Sequence, residues 1–375
     1  MVNNSLGYLA KESLKKLVVQ IDERLGDYWD SEIEKGFGFE ESQKKLVKEV
    51  LLHAKEHNMR PAKRVRASFV YYGYLLGKNS RNQELKESRT QIIKAVSEGI
   101  WKVMEGVELV HTALLMHDDF MDEDMLRRGL PTTQEFFSRG DKHYGESMAV
   151  NVGDAVLCLG YERVLDCGLD KEKVLEGAKI LMRGITYTAF GQMYDVTLPK
   201  LGELTEEKVL AVHRAKTSIY TFQNPLIIGG VLVGLSNEIL EVLKEYAYKG
   251  GVAFQLQDDV LGLFGKTEKT GKSVDSDMLQ GKSTLLIAKT LEMGNEAQKK
   301  NLLSAWGNKK ATEKEIEAAK EAIKESGSLE YSINKAKILA REAMAVAENL
   351  ERYDLDQEAI DYLKGIAEYI VTREV

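Results

Sequence analysis

Apolar side chains recur every three to four positions over most of this chain, the period of an amphipathic helix. Residues 5–34 and 40–58 read as two such helices, parted by Gly36 and Gly38. The basic stretch Arg60-Pro61-Ala62-Lys63-Arg64-Val65-Arg66 opens a third, more apolar helix that stops near Gly77, and residues 78–88 form a polar loop. A long helix then runs from about Thr90 to Asp122. Its second half is dense in apolar residues: Val107, Leu109, Val110, Ala113, Leu114, Leu115 and Met116. Residues 123–132 are charged and irregular. Helical patterns resume over 145–168, 171–197, 205–223, 225–235 and 237–264. A loop rich in Gly, Lys and Asp covers 265–282, and 283–375 holds four or five more helices with a turn at Ser326-Gly327-Ser328.

Composition sharpens this picture. Only 4 of 375 residues are proline, about 1% against a usual ~5%, so helix breakers are scarce. No linker, low-complexity run or internal repeat divides the chain. The expectation is one all-α domain over 1–375, with N-terminal helices at 1–60, a motif-bearing core at 61–290 and C-terminal helices at 291–375. The net charge of −7 argues against a general nucleic-acid surface. Cys158 and Cys167 lie nine apart on one helical stretch, a spacing that suits neither a bridge nor a metal, and they read as thiols in a reducing compartment. The first residues lack a basic segment followed by an apolar run. The longest apolar run, 225–235, is too short to cross a bilayer. A soluble, cytoplasmic protein is expected, which leaves room for transient membrane contact.

The chemistry concentrates in two acidic segments. In His117-Asp118-Asp119-Phe120-Met121-Asp122-Glu123-Asp124, Asp118 and Asp122 are four apart and share one helix face. Like charges there repel unless a cation bridges them, and oxygen-only ligands suit Mg²⁺ with substrate phosphates. Taken alone, such a segment is a solvated helix end. Arg127-Arg128-Gly129 changes that, because a guanidinium fork beside carboxylates suits phosphate oxygens. The second segment, Phe254-Gln255-Leu256-Gln257-Asp258-Asp259, also ends an apolar helix, and Gly271-Lys272 and Gly281-Lys282-Ser283-Thr284 follow it. Two acidic clusters, each trailed by cations, are what a metal-bridged diphosphate needs. Lys216-Thr217 and the pair Lys63 and Arg66, three apart, are further candidate anion ligands.

These motifs, in this order, resemble the trans-isoprenyl diphosphate synthases of the polyprenyl synthetase family, in particular those that make geranylgeranyl diphosphate. Asp118, Asp119, Asp122 and Arg127-Arg128-Gly129 match DDxxD followed by RRG; Lys216-Thr217 matches KT; Phe254 to Asp259 matches FQxxDD. The family's GGKR is Pro61-Ala62-Lys63-Arg64 here, and the third aspartate that often closes the second acidic motif is Gly262.

The resemblance implies a helical bundle of the isoprenoid synthase type around an apolar cavity. It implies Mg²⁺, three ions per site, with Asp118 and Asp122 on one side, Asp258 on the other, and Asp119 in support. Arg127, Lys216, Lys272 and Lys282 would hold an allylic diphosphate. Lys63, Arg66, His111 and Arg128 would hold isopentenyl diphosphate, and Thr217 and Gln255 would face the developing cation. His117 reads as structural. A homodimer is implied as well. The growing tail would run down the helix before Asp118, where one turn is about 5.4 Å. Ala113 and Leu114 stand where aromatic residues give short products in the family, so the shaft is open and a product of twenty carbons or more is expected. Leu109, Val110 and Tyr161 are candidate floors. The competing readings are a class I terpene cyclase, a head-to-head coupling enzyme and the active subunit of a heteromeric synthase. A non-catalytic subunit would have degraded acidic motifs.

Overall fold

The computed structural model describes residues 5–77, 98–265 and 275–372. Among them the chain is all-α apart from one two-residue hairpin. The helices are α1 (Leu6–Glu34), α2 (Glu41–Met59), α3 (Val65–Leu76), α4 (Glu98–Met121), α5 (Thr133–Ser138), α6 (Lys142–Leu165) and α7 (Lys171–Thr197). They continue with α8 (Glu206–Val212), a π-helix (His213–Gln223), α9 (Asn224–Val233), α10 (Asn237–Phe264), α11 (Ser276–Leu279) and α12 (Leu285–Met293). The last are α13 (Glu296–Ala305), α14 (Glu313–Glu325), α15 (Ser328–Glu348) and α16 (Gln357–Thr372). No described helix is long and apolar enough to cross a membrane.

The helical period decides which faces are buried. On α1, Leu14, Leu17, Ile21, Leu25 and Trp29 form one inward stripe. The start of α1 packs on α16, where Gly7 N donates to Glu368 Oε2 at 2.7 Å, and Trp29 at its far end donates to Asn58 of α2 at 2.9 Å. α4 packs most extensively on α6, α9 on α3, and α10 on α15 and the π-helix. These helices share the principal apolar core. A smaller core under α12, α13 and α14 packs on the end of α10 through Val260 and Leu263.

Three local features differ from the sequence expectation. Residues 123–132 are ordered into a hairpin, β1 (Leu126–Arg127) against β2 (Leu130–Pro131). Its turn residues Arg128 and Gly129 have φ of 53° and 78°, which glycine adopts freely. The expected helix over 145–168 starts at Lys142, capped by the Asp141 side chain, and ends at Leu165. The expected helix over 205–223 leaves the α register at His213 and becomes a π-helix, which runs straight into α9. Pro225, in the first turn of α9, has no N–H to continue the α ladder backwards. The π-helix lies so close to α10 that a side chain is excluded at the contact: a Cβ on Gly251 would lie 2.6 Å from Ser218 Cα.

Candidate active site

Asp118 sits on the last turn of α4 and Asp122 just past its end, and both are neutralised by lysines from distant segments. Lys216 Nζ, on the π-helix, lies 3.2 Å from Asp118 and 3.3 Å from Asp195 of α7. Lys282 Nζ donates to Asp122 Oδ2. Burial opposes the charge on both lysines, yet the carboxylates hold both above the ordinary lysine range. The two aspartates respond in opposite ways. Burial works against the Asp118 charge, but Lys216, Lys282 and Arg127 hold it below the usual range. Burial first, and then the Asp118 charge, pushes Asp122 up. Two carboxylates that cannot both ionise without nearby positive charge are a fitting seat for a divalent cation.

Asp119 turns away from this pair and into the protein. It is fully buried and accepts from Arg127 Nε at 2.6 and 2.7 Å, with His57 Nε2 3.6 Å away. Burial is overcome by His57 and Arg127, and the carboxyl stays below its usual range. Arg127 is therefore committed chiefly to Asp119; its Nη2 is 3.9 Å from Asp118. Gln134 adds a clasp, donating to the carbonyls of Asp119 at 3.1 Å and Asp124 at 2.6 Å. His117 has a packing role, with Nε2 3.3 Å from Val150 O and 3.5 Å from Asp154.

The opposite wall is the end of α10. Thr217 donates to Gln255 Oε1 at 2.7 Å, and Gln255 donates to Asp259 Oδ1 at 2.7 Å. Asp259 Oδ2 lies 3.1 Å from His213 Nε2. Asp259 is thus buried and turned toward the π-helix, while Asp258, one residue earlier, is half-buried. Among the described residues, Asp118, Asp122 and Asp258 are not drawn into a three-ligand cluster. A cavity of about 110 Å³ lies against the α10 wall, with Lys216, Thr217, Gln255, Asp259 and Lys282 on its lining. Gln280 ties the walls together, donating to Asp124 Oδ1 at 2.7 Å. Lys272 lies outside the described residues.

A second cationic nest lies where α3, α4 and the hairpin turn meet. Arg66 Nη2 donates to Thr221 Oγ1 at 2.7 Å, and its guanidinium is 4.9 Å from the Tyr220 ring centroid. Its Nε is shut from solvent without a hydrogen-bond partner, as is His111 Nδ1. Burial, then Arg66 and Arg128, push the His111 imidazole well down, so it is neutral. Arg128 donates to Arg60 O at 3.0 Å and is lowered to about 10, first by burial and then by Arg127. Lys63 Nζ lies 5.7 Å from the Phe254 ring. The other two cations of the basic stretch are spent on the fold. Arg60 grips the hairpin carbonyls of Arg127 and Pro131, and Arg64 binds Asp22, Glu108 and Asn58 O.

Behind Asp118, Ala113 is buried and Leu114 half-buried; Leu109 and Val110 are buried in the same core. Tyr161 of α6 is half-buried, its hydroxyl raised to about 12 by burial. Sequence reasoning missed Asp195, His213 and Gln280. His213 left a signal, three residues before Lys216 on a helical stretch. Asp195 and Gln280 left none, since only the fold brings them close.

The polyprenyl synthetase family model matches residues 48–323. A geranylgeranyl diphosphate synthase of Saccharolobus solfataricus is 32% identical over 289 residues, which is 76% of this chain and 83% of that one. A short chain isoprenyl diphosphate synthase of Methanocaldococcus jannaschii is 37% identical over 235 residues, 63% of this chain and 68% of that one. The structure of a geranylgeranyl pyrophosphate synthase from Corynebacterium glutamicum, complexed with isoprenyl diphosphate and magnesium, superposes with a TM-score of 0.83 at 24% identity, covering 97% of this chain and 99% of that one. The chain belongs to the polyprenyl synthetase family, and it is a prenyltransferase.

Proposed function

We propose that this prenyltransferase joins isopentenyl diphosphate head-to-tail to an allylic diphosphate, giving an all-trans prenyl diphosphate of twenty carbons or more. The observation that carries this reading is the presence of two separate cationic seats. One lies between the acidic walls, with Lys216 and Lys282; the other holds Arg128 beside Arg66 and His111, and Arg66 Nε and His111 Nδ1 are buried without a hydrogen-bond partner. One diphosphate fits each. The Saccharolobus and Corynebacterium relatives named above support the substrates and the twenty-carbon length.

Lys216 and Lys282, with Arg127 and Lys272, hold the allylic diphosphate; Lys63, Arg66, His111 and Arg128 hold isopentenyl diphosphate. Asp118, Asp122 and Asp258 would hold Mg²⁺, three ions in all, with Asp119 bracing the first pair. When bound, Mg²⁺ neutralises the diphosphate and favours departure of pyrophosphate. Fixed positive charge beside the leaving group stabilises the charge that develops there. Thr217 and Gln255 turn oxygen dipoles toward the allylic cation, and the apolar shaft excludes water from it. The isopentenyl double bond attacks, and the proton then lost passes to pyrophosphate. Ala113 leaves the shaft open beyond fifteen carbons. Met182, Tyr187, Phe190 and Met193 form an exposed apolar stripe on α7, which supports a homodimer, and two unpaired cysteines support a reducing, cytoplasmic setting.

The test is incubation with Mg²⁺, isopentenyl diphosphate and primers of five, ten, fifteen and twenty carbons, with products read by mass spectrometry. Elongation to twenty carbons or more is expected, and Ala113→Phe should shorten the product. A fifteen-carbon stop in the unmodified protein defeats the length argument. A hydrocarbon formed from one primer alone defeats the synthase reading.

A further inference from the structure

Gly262 follows Asp258 by one turn of α10, so a side chain there would project from the same face. That place is already filled. A Cβ on Gly262 would lie 2.8 Å from Asp277 Oδ2 and 3.9 Å from Asp277 Cγ. The carboxylate absent from the second acidic motif is replaced in space by one that arrives from 15 positions later in the chain.

Asp277 is held there by its surroundings. It belongs to the single turn α11, whose Met278 is only 2% exposed in the smaller core. On one flank, Asp275 pairs with Lys320 at 2.6 Å. On the other, Gly281 N donates to Met278 O at 3.1 Å and Lys282 N to Asp277 O at 2.9 Å. This second link sets the Asp277 carboxylate in fixed relation to the lysine that reaches Asp122. An independent observation points to an occupant. Ser283 is 4% exposed, its hydroxyl has no hydrogen-bond partner, and it lines the same cavity as Asp277, Asp259 and Lys282. A buried unpaired hydroxyl costs free energy unless something polar visits it.

We propose that Asp277 supplies the carboxylate that position 262 lacks, completing with Asp258 the divalent-cation seat on the α10 wall. Ser283 Oγ offers a further oxygen to the water shell of that ion. Mg²⁺ binds through one or two carboxylates together with phosphate oxygens and waters, so two aspartates from different segments suffice. The inference rests on the reading that cations bridge a diphosphate in this cavity.

The experiment counts Mn²⁺ bound in the presence of inorganic pyrophosphate, by electron paramagnetic resonance, on full-length protein without turnover. The proteins compared are the unmodified chain, D277N, G262D and the exchange G262D/D277G. D277N should weaken the last ion at least ~10-fold with the helical circular dichroism unchanged. G262D alone crowds two carboxylates into one space and should bind no better than D277N. The exchange should bring the ion back to within about threefold of the unmodified chain, in keeping with one carboxylate being enough. Unchanged Mn²⁺ affinity in D277N, with or without a fall in Tm, overturns the proposal and leaves Asp277 a structural residue. A folded exchange variant that does not regain the ion overturns it too. If the unmodified chain binds no Mn²⁺ with pyrophosphate, the diphosphate reading itself falls, which the D277N comparison distinguishes.

Discussion

The two acidic walls are built in opposite ways. The α4 wall is braced locally at Asp119, although distant lysines neutralise Asp118 and Asp122. Asp119 meets Arg127 eight residues on, and Gln134 clasps the Asp119 and Asp124 carbonyls from just beyond the hairpin. The α10 wall is assembled from afar, with Thr217 and His213 of the π-helix on Gln255 and Asp259, and Asp277 in the place of a side chain at Gly262. A locally braced wall holds its own shape. An assembled one depends on the packing of three segments, and its chemistry moves when any of them shifts.

The largest effect should come from Asp118→Asn, which removes a metal ligand and the partner of Lys216. A fall in kcat of about 10³-fold is expected, with the circular dichroism spectrum unchanged. Arg127→Gln should break the α4 wall as a structure, because it strands a fully buried Asp119 carboxylate. A loss of about 3–5 kcal/mol is expected in urea melts. His53 tests the seam beneath the same wall, where it stacks on Phe136 at 4.3 Å. Burial, then His57 and Arg60, lower its pKa from 6.5 to about 4. The unfolded chain takes up the proton first, so stability is intact above pH ~6.5 and falls by up to about 3 kcal/mol as the pH drops to ~4. His53→Phe should flatten that slope in melts run across this range. The smallest effect is on the assembled wall. Gly251→Ala would press on Ser218 Cα at 2.6 Å, costing about 1–3 kcal/mol. Its signature should be a change in kcat/KM out of proportion to the change in Tm, because the π-helix carries Lys216 and Thr217.

This contrast also explains what the sequence made legible. The helical period located most elements, because apolar stripes such as Leu14 to Trp29 report the buried face directly. The α4 motif was legible for the same reason its wall is braced locally: Asp118, Asp122 and Arg127 lie within one short stretch. The basic stretch was half legible. Lys63 and Arg66 were singled out on spacing, but only the fold shows that Arg60 and Arg64 are engaged by backbone carbonyls and by acids more than 40 residues away. The π register was hidden because it goes with a close approach of Ser218 to Gly251, a relation between two helices rather than one. Asp277 was hidden because its relation to Gly262 exists only in three dimensions.

The pairing of α1 with α16 has a consequence in time. The hydrogen bond from Gly7 to Glu368 joins residues 361 apart. At roughly 5–20 residues per second of synthesis, the first helix leaves the ribosome about 20–70 s before its partner exists. Through that interval the face of α1 that meets α16 lacks its partner, so the newborn chain exposes a surface that the finished enzyme hides.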